Sequence, residues 1–192
     1  MTDTTESTAT AGVDPQTYRD VLSRYVTGVT VVTALDERDG RQQPWGTTVN
    51  SFTSVSLEPP LVLVAIGHER SIHPLIERTR RFAVNVLGED SQALSDCFAG
   101  APSDLPREAF CNAEYRIGGE CQLPVLEDAL AYVGCAVERV IPAGDHTLYI
   151  GRVLEAGTSD GPGWPLLYYR RRYLRIEHAE AADLRGKPDK LR

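Results

Sequence analysis

The chain has 192 residues, 42% of them hydrophobic and 24% charged, and a formal net charge of −7. Those figures describe one domain able to bury a sizeable core, and the acidic balance excludes nucleic acid as a natural partner, because phosphate binding needs a basic face. No apolar run approaches the roughly 20 residues of a spanning helix, and Met1–Thr8 lacks the basic start and apolar core of a signal peptide, so no membrane association and a cytoplasmic location are predicted.

Residues 1–13 are polar and Thr-rich, and read as a disordered tail. Asp14-Pro15 is a helix start, an N-cap carboxylate followed by proline in the first turn. Tyr18, Val21, Leu22, Tyr25 and Val26 share one face of a helix predicted to end at Gly28 and to pack on whatever follows. Val29–Leu35 reads as a strand, Asp36–Gly40 as a turn, and a second strand starts near Trp45. Leu61–Gly67 and Phe82–Leu87 are short apolar runs that predict strands buried on both faces. Between them Ser71 is expected to cap a short helix carrying Leu75 and Ile76, and Ser91–Phe98 suggests another helix; Pro102–Phe110 is loop or broken helix.

The last third is a meander. Ala131, Val133, Cys135, Val137 and Ile141 alternate onto one face, with Arg139 breaking the pattern, and strands follow at Thr147–Glu155 and Pro165–Tyr169. The predicted fold is mainly β with a few helices, a closed antiparallel Greek-key barrel occupying residues 14–178, followed by a polar tail at 179–192. Cys97, Cys111, Cys121 and Cys135 form no Cys-x-x-Cys pair, so reduced structural thiols are expected, and the four histidines show no metal-ligand spacing.

Nucleotide-binding Gly-rich loops and the Gly-x-Ser-x-Gly elbow are missing. The segment Gly46–Ser56 stands out instead: six of the ten residues from 47 to 56 carry hydroxyls. It reads either as a strand with one wet face or as a strip whose backbone and hydroxyls meet a flat heteroaromatic ligand. His68-Glu69-Arg70-Ser71 reads either as an ordinary cap beside a surface arginine or as an anion site at a helix mouth. Gly144-Asp145-His146 fits a hairpin turn, and equally a histidine aimed into a ligand cleft. Arg170–Arg172 is either a solvated strand edge or a contact for dinucleotide phosphates.

In series, Thr27–Thr33, Gly46–Val64, Phe82–Leu87 and Ala143–Val153 resemble the short-chain flavin reductases of two-component, flavin-dependent monooxygenases, across residues 18 to about 176. The resemblance implies an FMN-binding split barrel, a homodimer with flavin near the subunit interface, and reduction of FMN or FAD by NADH or NADPH for delivery to a monooxygenase. It implies that the flavin ring lies against Thr48, Val49, Asn50, Ser51 and Phe52, with Ser54 and Val55 beneath it and the phosphate near Arg70 and Ser71. It implies nicotinamide contacts at His146 and Tyr173, no metal, and no catalytic acid or nucleophile. Hydride transfer between two bound rings needs alignment and a polar cradle, which fits a sequence without a triad. The alternative on the same fold is a flavin-holding electron relay that does not turn over NAD(P)H.

Overall fold

A computed structural model of the protein describes residues 12–38, 40–159 and 163–176. The elements are α1 (Pro15–Leu22), β1 (Thr27–Gly28), β2 (Thr30–Arg38), β3 (Arg41–Val49), β4 (Thr53–Leu57), β5 (Pro60–Gly67), α2 (His73–Thr79), β6 (Arg81–Leu87) and α3 (Gln92–Ala99). A 3₁₀ segment (Arg107–Asn112) then precedes β7 (Tyr115–Ile117), β8 (Pro124–Leu126), β9 (Ala129–Ala143), β10 (His146–Thr158), β11 (Leu167–Tyr169) and β12 (Arg172–Leu174). The polar tails expected at 1–13 and 179–192 lie outside the described residues, except for 12 and 13. No described helix is long and apolar enough to cross a membrane.

Seven strands form one antiparallel sheet in the order β3-β2-β6-β9-β10-β5-β4, so the fold is mainly β as expected. The expected closure is not there. Strands β3 and β4 are opposite edges of that sheet and no ladder joins them, although residues 50–52 connect them directly. Ser51 explains the open seam: its hydroxyl donates to the Ala65 carbonyl and accepts from the Ala65 N–H, both at 3.0 Å. A side chain thereby satisfies backbone groups of β5 that a closing strand would otherwise pair.

The sheet buries apolar side chains on both faces. Val32, Ala34, Val64, Phe82, Val84 and Tyr149 enclose one cluster, plugged by Ile72, Leu75 and Ile76 at the start of α2. Val31, Leu87, Cys97, Phe98, Phe110 and Leu166 form a second cluster under α3 on the other face. Period-2 alternation explains the division, since Val31 and Val32 are neighbours on β2 and serve different clusters. Strand β5 is less buried than its unbroken apolar run suggests: Val62, Val64 and Ile66 are inside, whereas Leu61, Leu63 and Ala65 are half-buried.

Three local expectations are corrected. Helix α1 has its Asp14 cap, which accepts from the Gln16 and Thr17 N–H groups, but it ends at Leu22, because Ser23 caps it and Thr27–Gly28 must pair with β11. Among the described residues its apolar face stays largely uncovered: Tyr18, Val21, Leu22, Tyr25 and Val26 are 49–75% exposed. On β9 a bulge leaves Glu138 unpaired, since Ile150 faces Arg139 and Gly151 faces Val137. The extra residue flips the phase, so Val140 packs on the core and Ile141 is exposed.

The cysteines also depart from the expectation of reduced thiols. Cys97 and Cys111 form a disulfide between α3 and the 3₁₀ segment, where Phe98 and Phe110 meet edge to face at 5.0 Å. Phe110, Cys111 and Asn112 all have positive φ (54°, 56° and 51°), and this sharp left-handed turn swings Cys111 beneath α3. Cys121 and Cys135 are free and buried, and burial pushes their thiols up to about 11 and about 12 respectively.

Glu155 on β10 anchors the 118–122 loop, accepting from the N–H groups of Gly119, Glu120 and Cys121 and, at 2.8 Å, from the Tyr132 hydroxyl. Burial opposes its charge, but the Cys121 N–H, Tyr132 hydroxyl and Glu120 N–H outweigh burial and hold the carboxyl at about 2. A carboxylate held below its ordinary 4.5 contributes stability above that value, and the contribution is lost as pH falls through about 2. Glu155→Gln should therefore lower the Tm at neutral pH and flatten its fall between roughly pH 5 and 2. Parallel Tm–pH curves for the two proteins would contradict this role.

Candidate functional site

The hydroxyl-rich segment comes together at the open edge of β3. Residues Thr47–Ser51 form one wall of a cavity of about 190 Å³, facing Ala65–Gly67, Glu69, Arg70 and His146. On the other side, Thr48, Val49 and Asn50 also line a cavity of about 180 Å³ with Val29, Ala99, Tyr168 and Tyr173. The strip thus divides a polar compartment from an aromatic one. His146 and Tyr173 fall in different compartments.

The individual side chains are fixed as follows. Thr48 donates its hydroxyl to the Ser95 carbonyl of α3 at 2.7 Å, which leaves only lone pairs for a ligand. Ser51 is spent on Ala65, as described above. Thr47, in the hydroxyl-rich strip but outside the expected ring contacts, lines the polar cavity and carries a buried hydroxyl with no partner among the described residues. Phe52 is half-buried against the core, and Ser54 and Val55 are exposed on edge strand β4; none of these three lines either cavity.

Arg70 donates to the Ala99 carbonyl at the end of α3 at 2.8 Å and lies 3.2 Å from Glu69. Ser71 does not cap α2, which begins two residues later with Ile72 at its N-cap and Pro74 in the first turn. Ser71 opens instead onto cavities lined by Trp45, Gly46 and Arg107 and by Asp36, Pro74 and Arg78, apart from Arg70. The reason is local: proline is favoured in the first helical turn, and here it sets the helix start at His73.

His146 opens β10 opposite Gly67 of β5, and the His68 N–H donates to the Asp145 carbonyl, tying the hairpin turn to the end of β5. The imidazole Nδ1 is 2.7 Å from the Asp145 carboxylate. The His146 hydrogen bond holds the Asp145 carboxyl below its usual range. An ionised carboxylate only accepts, so Nδ1 carries the proton in this contact. Arg170 and Arg171 occupy the tight β11–β12 turn with positive φ; Arg171 pairs with Asp20 of α1, and Arg170 lies over the Tyr169 ring. They tether α1, and neither lines the two compartments.

A larger cavity of about 620 Å³ lies under the other flank of α3. Glu89, Asp90, Glu114 and Asp128 rim it, and that charge repels any phosphorylated ligand. The β3 edge is not acidic in this way, since Glu69 and Arg70 offset each other there. An unpaired strand edge offers alternating N–H and C=O groups, Thr47 adds an unpartnered hydroxyl, Asn50 an amide and Arg70 a cation. This donor set fits the polar rim of an isoalloxazine ring and its polyol phosphate. Each compartment alone is smaller than the roughly 300 Å³ of ordinary ligand clefts, so a whole flavin nucleotide needs both, or a further wall from outside the chain.

The flavin reductase like domain matches residues 22–177. An NADH-dependent flavin reductase from Rhodococcus sp. is 38% identical over 175 residues, covering 88% of this chain and 94% of that protein. The reductase component of an FADH(2)-dependent resorcinol hydroxylase from Rhizobium sp. is 39% identical over 160 residues, covering 82% and 85%. Among solved structures, the NADH:FAD oxidoreductase SgcE6 of Streptomyces globisporus superposes with a TM-score of 0.75 at 34% identity, covering 87% of this chain and 98% of that one. The chain belongs to the flavin reductase family.

Proposed function

We propose that the protein is an NADH:flavin oxidoreductase that reduces FMN or FAD as a dissociable substrate and supplies it to a separate monooxygenase. The observation that carries this reading is the open β3 edge, where Thr48, Val49 and Asn50 form a wall common to a polar and an aromatic compartment. The similarity to an NADH-dependent flavin reductase and to a hydroxylase reductase component supports NADH as donor and a monooxygenase as recipient. The strip, with Arg70 and Asn50, binds the flavin; Tyr173 on the aromatic side and His146 on the polar side meet the nicotinamide nucleotide from the two sides of the strip. Bound flavin supplies the hydride acceptor, and the chain supplies alignment and a polar cradle.

Homodimerisation is part of the proposal. Two features support it: the incomplete enclosure of the site, and the uncovered apolar row Tyr18, Val21, Leu22, Tyr25 and Val26, joined by exposed Val55 and Leu57 on β4. A monomeric mass in solution would contradict it.

The state of the flavin after purification separates this reading from an electron relay. The reductase should emerge largely colourless, quench the fluorescence of added flavin reversibly, and oxidise NADH only when flavin is present. A tightly bound yellow cofactor without NADH turnover would establish the relay instead. Within the reductase reading, His146→Ala should raise the NADH KM about tenfold, as expected for loss of one or two hydrogen bonds, with a smaller change in flavin affinity. Equal losses for both substrates would assign His146 to the flavin shell or the fold.

A further inference from the structure

Three hydrogen bonds meet on one turn of α3. Ser95 is fully buried, and its backbone carbonyl accepts the Thr48 hydroxyl at 2.7 Å. Its own hydroxyl lies 2.9 Å from the Tyr173 hydroxyl, and Tyr173 in turn donates to Asp96 at 3.0 Å. A phenol has one proton. Since Tyr173 gives that proton to Asp96, Ser95 must donate to Tyr173, and the relay runs Ser95 to Tyr173 to Asp96. The same residue therefore grips the β3 strip through its backbone and the aromatic wall through its side chain. The Tyr173 ring also meets Tyr168 edge to face at 5.4 Å and packs against the cluster under α3.

The approach of α3 is built for this. A Cβ at Gly46 would lie 2.5 Å from the Phe98 ring, so glycine at that position lets the helix settle on β3. Arg70 binds the last carbonyl of α3, and the disulfide ties Cys97, two residues beyond Ser95, to the 3₁₀ segment. A rigid helix with one buried hydroxyl can fix the Tyr173 ring to within the tolerance that ring stacking needs.

We propose that Ser95 is a positioning residue that holds Tyr173 in register with the Thr48–Asn50 strip, and so sets affinity for the nicotinamide without setting affinity for the flavin. The proposal rests on the reductase reading above. Ser95→Ala removes the donor to Tyr173 and leaves the carbonyl that binds Thr48.

The test is a double-mutant cycle of Ser95→Ala and Tyr173→Phe, measured by steady-state NADH oxidation and by flavin fluorescence titration. Each single change should raise the NADH KM about five- to tenfold, the loss of a buried hydrogen bond, with flavin Kd within about twofold of wild type. The double variant should be no worse than Tyr173→Phe alone, because that change already removes the bond that Ser95→Ala breaks, along with the bond to Asp96. A wild-type NADH KM in Ser95→Ala, additive losses in the double variant, or equal losses for flavin and NADH would each overturn the proposal. If Ser95→Ala does not fold, Ser95→Cys, which keeps the shape with only a weak donor, takes its place in the cycle, and an unchanged NADH KM overturns the proposal. Wild-type protein that fails to oxidise NADH at all would sink the reductase reading itself, a distinct outcome.

Discussion

Asn85→Leu should cost the protein about 3 kcal/mol of stability, the largest single-residue effect expected, because three buried hydrogen bonds are lost at once and one of them orphans a backbone N–H. Asn85 on β6 is fully buried. Its amide donates to the Val31 carbonyl at 3.1 Å and to the Thr33 hydroxyl at 3.2 Å, and its oxygen accepts from the Leu126 N–H at 2.9 Å. It is the polar pin between the main sheet and the two-stranded β7–β8 hairpin, and Thr33 adds a second bond to the Pro124 carbonyl of β8. Leucine of similar size fills the space but leaves the Leu126 N–H facing an apolar side chain, at about 1–3 kcal/mol, and strips the Val31 carbonyl and the Thr33 hydroxyl of one hydrogen bond each. Urea denaturation monitored by fluorescence would read the loss directly. A midpoint equal to wild type would mean that the hairpin contributes nothing to global stability.

The second large effect concerns the Cys97–Cys111 bond. Closing a loop with a sequence separation of 14 restricts the unfolded chain by about 3 kcal/mol in the loop-entropy account. Both cysteines are buried, beside the left-handed turn at 110–112, so the oxidised pair also holds a strained backbone against α3. A Cys97→Ala/Cys111→Ala protein, or wild type fully reduced by a dithiol, should melt roughly 6–12 °C lower. Mass analysis must confirm the thiol state. Equal Tm values for oxidised and reduced protein would contradict the contribution assigned to the bond.

Much of the strand pattern was legible because alternation is a local property. The runs 30–38, 60–67, 81–87 and 146–158 each carry their own apolar period, and helices at 92–99 and near 73–79 follow from short apolar spacing. What failed were features decided by partners far away in the chain. The Glu138 bulge shows only as a lapse at Arg139 until β10 is laid beside it. The α1 helix stops early because β11, some 140 residues later, takes Thr27 and Gly28 into a sheet. Closure of the barrel fails because one serine side chain occupies the backbone of β5. The disulfide depends on a left-handed turn that no composition signal marks.

The site shows the same division. Thr48, Val49, Asn50, Ser51, Arg70 and His146 share one cavity, and the residues that suggested it were an unusual hydroxyl density and a histidine in a Gly-Asp-His turn. Nothing in the sequence separates the orphaned Thr47 hydroxyl from a satisfied one. Ser95 lies 47 residues from Thr48 and 78 from Tyr173, and a serine in mid-helix has no sequence mark of such a role.

The central claim is that this chain moves a hydride from a nicotinamide to a flavin that it does not keep. The most direct measurement mixes purified protein, NADH and substoichiometric FMN or FAD without oxygen and follows the flavin absorbance. The flavin should bleach to its reduced form at a rate proportional to protein concentration, with NADH consumed mole for mole. Bleaching no faster than in the protein-free control, with both flavins and with either nicotinamide, would contradict it.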